Sequence, residues 1–181
     1  MSRIPTPPSI EASPAASRPL LEAVEKQLGS VPNLFRIVGN SPAGLEGYLG
    51  LSGALGKGRL DIKTRQRLAV AVASTNGCDY CLAAHTYLGK NLARLDDAEL
   101  AANQDGVSSD AKANAALRFA TKVVRERGHV SADDVLAVKA AGWDDGEVVE
   151  ILLHVALNTL TNYLNTALAT EIDFPKVARS R

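Results

Sequence analysis

The stretch Leu68-Ala69-Val70-Ala71-Val72-Ala73-Ser74-Thr75-Asn76-Gly77-Cys78-Asp79-Tyr80-Cys81-Leu82-Ala83-Ala84-His85 contains the end of one helix, its stop and the start of the next. The unbroken apolar run Leu68–Ala73 is long enough to be buried on most sides of a helix, and Asp61 is placed to cap that helix at its start. Gly77 ends it. A second helix then begins at about Cys78 or Asp79 and runs to Lys90. Leu68–Ala73 is also the longest apolar run in the chain, far below the roughly 20 residues that cross a bilayer.

Outward from this pair, helical spacing continues in both directions. Before it, Leu20, Leu21, Val24 and Leu28 recur at helical intervals until Gly29, and Ser17 is placed to cap that helix around Pro19. Val31–Val38 reads as a turn into a short helix. Ser41-Pro42 opens another, whose glycines 44, 47, 50 and 53 suggest close helix–helix contact at a cost in helix propensity. After it, Asp96-Asp97, Ser108–Asp110, Ser131–Asp134 and Asp144-Asp145 each start a helix. No stretch alternates strictly, so the expected fold is all-α with about eight helices and the two cysteines at the N-terminus of a central one. Residues 1–16 hold Pro5, Pro7, Pro8 and Pro14 and are expected to form an extended arm over the surface or over a neighbouring subunit. Residues 17–181 form one domain.

The 181 residues carry 20 Lys and Arg against 20 Asp and Glu, and 46% are hydrophobic. This composition excludes wholesale disorder. Zero net charge with scattered signs offers no footprint for nucleic acid or anionic lipid. The first residues lack the apolar core of a secretory signal, so a cytoplasmic location is expected. The many alanines bury little area per residue, which favours an oligomer that buries more between subunits.

Cys78 and Cys81 are the chain's two cysteines, and with His85 they make a C-x-x-C-x-x-x-H pattern. At a helix start, free N–H groups and the helix dipole stabilise a thiolate. Cys81 lies one turn on, within disulfide reach, and His85 follows on the same face, where it can accept or return a thiol proton. An activated thiolate, a partner sulfur and a proton carrier are what a reversible dithiol requires. Zinc is the competing use, but it needs a fourth ligand from His129 or His154, and no metal is expected. A buried, inert pair is the other alternative. A thioredoxin fold would need strands around the motif. In the last helix His154, Asn158, Asn162 and Asn165 form a polar stripe, read as backbone capping or a subunit interface, with His154 as a second proton carrier in the functional version. Tyr80 and Tyr87 are candidates to wall the dithiol. Trp143 reads as a packing anchor and His129 as an exposed loop residue.

The segment Leu60–Lys90 resembles the AhpD-like alkylhydroperoxidases of the carboxymuconolactone decarboxylase superfamily, and more narrowly their peroxidase-related branch. The residues that carry the likeness are Asn76–Cys81 with Ala84-His85-Thr86, supported by Val31–Phe35, Asn162–Asn165 and Ile172–Pro175. The resemblance implies an all-helical fold assembling as trimers or hexamers. It also implies an antioxidant dithiol that reduces hydroperoxides, reset by an external thiol of the dihydrolipoamide type, without haem, flavin or other cofactor. By position, Cys81 would attack peroxide, Cys78 would resolve and His85 would carry the proton, whereas the helix-end argument makes Cys78 the more acidic thiol. AhpD-like relays place a Glu twelve residues before the first cysteine, and here that residue is Gln66. Gln66 can hold a hydrogen bond but cannot take up a proton, which leaves Glu46, on the glycine-rich helix, or a water as the acid. Two further classes stand beside the enzyme: a redox-sensing or partner-binding helical oligomer, and a carboxymuconolactone decarboxylase-like lyase, for which Cys78 would be dispensable.

Overall fold

A computed structural model of the chain describes residues 1–180; Arg181, the last residue of the expected domain, lies outside them. Among the described residues there are nine α-helices and no strand. They are α1 (Arg18–Leu28), α2 (Asn33–Val38), α3 (Pro42–Gly56), α4 (Ile62–Thr75), α5 (Asp79–Asn91), α6 (Asp97–Gln104), α7 (Ala111–Arg125), α8 (Ala132–Ala140) and α9 (Asp145–Leu168). The class is all-α as read from the sequence, with one helix more than the expected eight.

Helix starts follow their capping chemistry. Ser41, Asp61, Asp96, Asp110, Ser131 and Asp144 each accept the backbone N–H three residues on, which satisfies a donor the helix cannot. Ser17 is the exception. Its hydroxyl makes no cap and instead donates to the Gly39 carbonyl at 2.6 Å, tying α1 to the end of α2 in a buried contact.

The centre of the molecule is α4. Every side chain from Leu68 to Ala73 is at most 2% exposed, because the helix has a core on both sides. Val70 and Ala73 face one apolar cluster with Leu21, Ile37, Leu45 and the two cysteines. Leu68, Ala71 and Val72 face a second with Leu117, Val138, Trp143 and Ile151. Trp143 anchors that second cluster by donating from its indole to the Lys112 carbonyl at 2.9 Å. Burial on all sides explains the run without alternation.

One local expectation is corrected. On α3, a Cβ added at Gly47, Gly50 or Gly53 would meet nothing within 4 Å, and one at Gly44 would meet only the Ser41 side chain. These glycines therefore do not seat another helix of the same chain. The N-terminal arm is held by the chain itself. Arg3 donates its backbone N–H to Leu168 O at 2.7 Å and a guanidinium N–H to Ala167 O at 2.8 Å. It thereby satisfies carbonyls that the last turn of α9 leaves open. Pro5 and Pro8 carbonyls accept from Asn40 and Arg36.

Candidate active site

The corner between α4 and α5 is built by Gly77. Its φ of +71° is a conformation that side-chain-bearing residues disfavour. The Gly77 N–H returns to Ser74 O at 3.1 Å and the Cys78 N–H to Ala73 O at 2.9 Å, the paired closure that ends many helices. The chain therefore leaves α4 with Cys78 set as the N-cap of α5. The Cys78 sulfur accepts the Cys81 N–H at 3.4 Å, the place a Ser or Asp oxygen usually takes.

Both cysteines are free thiols and each is 2% exposed. The Cys81 side chain and backbone together with Thr166 push the Cys78 thiol well below its ordinary range, against the opposing effect of burial. Cys81 moves the other way: its bond to Cys78 and its burial hold it protonated. Both directions favour negative charge on Cys78 at the helix start and a proton on Cys81.

Cys81 faces α9. Asn165 Nδ2 donates to its sulfur at 3.2 Å, and Thr161 Oγ1 lies 4.0 Å away. Asn162 is held from behind by Asn76, whose amide donates to Asn162 Oδ1 at 2.9 Å. The stripe on α9 therefore has two uses. Asn158 binds only its own helix, donating to His154 O at 2.7 Å, whereas Asn165 serves the dithiol and Asn162 ties α9 to the end of α4. The helical spacing of these amides on a buried face was the sequence signal; it did not say which neighbour they meet.

Gln66 and His85 come together. His85 Nδ1 lies 2.9 Å from Gln66 Oε1, and because a carbonyl oxygen only accepts, the proton is on Nδ1 and Nε2 keeps its lone pair. Burial and the neighbouring His154 push the His85 imidazole down to about 4. His154 is 5% exposed and also falls to about 4, through burial first and then Arg65. Both imidazoles are thus neutral near pH 7, and His154 Nε2 is buried with no partner. Glu46 is not brought in. It is exposed on α3, and among the described residues no hydrogen bond or ion pair links it to the dithiol.

Tyr80 is buried in the same cluster as the cysteines, its hydroxyl accepting the Leu34 N–H at 3.0 Å and its ring meeting Phe174 edge-on at 5.9 Å. Tyr87, 44% exposed, flanks the same Phe174. Phe174 belongs to an irregular C-terminal segment that crosses the α5 start. Asp173 accepts the Asn33 N–H at 2.7 Å, Val177 packs on the cysteine-containing cluster, and Arg179 binds Asp79 at 2.6 Å and the Gly77 carbonyl. Sequence reading gave Arg179 no role. Among the described residues, no group of three or more His, Cys, Asp or Glu is arranged to hold a metal ion. Among the described residues, no helix is long and apolar enough to cross a membrane.

Known proteins share the family signature and the fold. The family model for the carboxymuconolactone decarboxylase family matches residues 42–122, from α3 through most of α7, which takes in both cysteines, Gln66 and His85. A solved structure from Ralstonia eutropha, described as an uncharacterized peroxidase-related protein with an alkylhydroperoxidase AhpD core, is 26% identical. The match covers 95% of this chain and 92% of that one, with a TM-score of 0.84. A peroxidase-related protein from Silicibacter sp. is 24% identical over 94% and 91% of the two chains, with a TM-score of 0.80. A debrominase shares the fold at 18% identity over 95% and 91%, with a TM-score of 0.72. No curated protein matches significantly. A family match centred on the dithiol helix pair, and a shared fold over nearly the whole length, lead to one conclusion: residues 42–122 are similar to the carboxymuconolactone decarboxylase family, and the chain has the fold of the AhpD core.

Proposed function

We propose that this protein is a dithiol/disulfide oxidoreductase that reduces hydroperoxides through Cys78 and Cys81. The observation that carries the reading is the pairing of two free sulfurs at the start of α5, one lowered in pKa by the Cys81 side chain and the backbone N–H groups of the helix start, with a neutral imidazole one turn beyond. A thiolate of the pair attacks the hydroperoxide, giving a sulfenic acid and an alcohol. The other cysteine condenses with the sulfenic acid, forming the disulfide and releasing water. An external dithiol, of the dihydrolipoamide type in keeping with the family, restores both thiols. His85, its tautomer set by Gln66, accepts and returns protons at Nε2. The test is steady-state consumption of an alkyl hydroperoxide with dihydrolipoamide or dithiothreitol as reductant. Turnover that vanishes in both Cys78→Ser and Cys81→Ser supports the reading, and turnover that survives either change refutes it.

A second reading has one observation in its favour: the C-terminal segment lies over a dithiol whose two cysteines are each 2% exposed. In that reading the pair oxidises once and changes an interface rather than turning over. Multiple turnovers in the same assay exclude it. We also propose that the chain works as a homo-oligomer. Val149, Leu152, Leu153, Leu160 and Tyr163 are exposed along α9, and sedimentation of a species larger than 19.1 kDa is the expected result.

A further inference from the structure

The two amides around Cys81 are arranged for a charge that the resting thiol does not carry. Asn165 Nδ2 donates to the Cys81 sulfur at 3.2 Å. Asn162 spends its oxygen on Asn76, its Nδ2 is buried with no acceptor of its own, and its amide favours the charged form of the same sulfur. Thr161 adds no third donor, since its hydroxyl proton goes to the Asn158 carbonyl at 2.9 Å. A neutral thiol is a weak acceptor, and one sulfur does not repay two buried N–H groups. A thiolate in the same place accepts both, with bonds roughly twice as strong as neutral ones.

We propose that Asn162 and Asn165 form a donor pair that receives the negative charge on the Cys81 sulfur when an external dithiol opens the Cys78–Cys81 disulfide. This rests on the dithiol reading above. In that step a reductant thiolate attacks Cys78 Sγ, at the corner flanked by Gly77 and Asp79. A bond forms between the two sulfurs, the Cys78–Cys81 bond breaks, and its electron pair leaves on Cys81 between the two amides. Cys81 then takes a proton through His85. The second thiol of the reductant attacks its own sulfur in the mixed disulfide and releases Cys78 as a thiolate. The reductant loses two electrons and the enzyme gains them. Asn162 and Asn165 thus act on the leaving group, while the start of α5 stabilises Cys78.

The test uses the whole chain oxidised with diamide, so that no hydroperoxide enters, and follows reduction of the disulfide by dithiothreitol. Asn162→Leu and Asn165→Leu are each expected to slow reduction by about three- to tenfold. Asn165→Asp keeps the size and removes the donor, and slows it at least as much should either leucine variant fold poorly. Asn158→Ala, on the same stripe but bonded only to its own helix, is expected to reduce at the wild-type rate. In a Cys78→Ser background, the thiolate absorbance of Cys81 should titrate at higher pH when Asn165 is replaced by Leu. Wild-type reduction rates in the Asn162 and Asn165 variants overturn the proposal, as does slowing without any change in the Cys81 titration, which is the mark of a packing role. Failure of diamide to form the disulfide overturns both this proposal and the dithiol reading. A disulfide that behaves as expected in a protein that ignores hydroperoxide supports the donor pair and overturns only the peroxidase assignment.

Discussion

Gln66→Glu is the most informative single change. Gln66 Oε1 lies 2.9 Å from His85 Nδ1, and a carboxylate put there faces the imidazole at charge-pair distance. Burial and His154 now hold His85 at about 4, so at pH 7 about one imidazole in a thousand is protonated. An adjacent carboxylate raises such a group by roughly one to three pKa units. With a rise of about two, roughly one imidazole in ten is protonated at pH 7. If His85 delivers the proton to the departing alkoxide, this population gain is about a hundredfold. The weaker acidity of the new imidazolium returns roughly half of it on a logarithmic scale, leaving a rate increase of about tenfold. The assay is hydroperoxide consumption as a function of pH, with the His85 ring titrated in parallel by NMR. The expected result is faster turnover and a His85 midpoint moved toward neutrality. A midpoint that moves without any gain in rate would refute proton delivery through this pair, and an unmoved midpoint would refute the contact itself.

Three other perturbations follow from the same structure. His154 is buried neutral with its pKa lowered from 6.5 to about 4, so the unfolded chain binds the proton that the folded chain refuses. Its contribution is present above about pH 6.5 and is lost as pH falls toward 4, by up to about 3 kcal/mol; urea titrations in that window should flatten in His154→Asn. Glu99, 6% exposed, pairs with Arg67 at 2.8 Å. Against burial, bonds from Ser108, Ser109 and Asn103 hold it down to about 2. Glu99→Gln leaves Arg67 without its counter-ion and should cost about 3 kcal/mol, or roughly 10 °C in Tm by calorimetry, with the count of reactive thiols unchanged. Arg179→Ala frees the C-terminal segment from Gly77 and Asp79. It should speed alkylation of the thiols by iodoacetamide severalfold with little change in Tm, and an unchanged rate would mean that this segment does not control access.

Much of this could be read from the residues alone because the deciding signals are local. Gly77 between an apolar helix and Cys78 sets the helix corner, and a corner needs no long-range information. Gln66 and His85 were likewise assigned to one site, and they meet at 2.9 Å. What the sequence hid is long-range. Asn165 reaches Cys81, and Asn162 reaches Asn76, across more than eighty residues, and a buried amide on a stripe points equally well to a carbonyl, a neighbouring subunit or a sulfur until packing selects one. Glu46 failed for the complementary reason: it is the right residue type on a nearby helix, but α3 presents it to solvent. The nine residues that end in Arg179 carry no helical or strand pattern, so nothing in them announced that Asp173, Phe174 and Arg179 would close over the start of α5. Ser17 shows how a good cap residue is outbid when a carbonyl such as that of Gly39 would otherwise be buried unpaired.

The central claim is that Cys78 and Cys81 act as one redox unit. Its most direct measurement is intact-chain mass spectrometry with free-thiol counting, before and after about one equivalent of an alkyl hydroperoxide per chain. The account predicts two free thiols at the start, both lost together, and a mass lower by two hydrogens that dithiothreitol restores. A chain that keeps both thiols, or that gains oxygen on one sulfur while the other stays free, contradicts it.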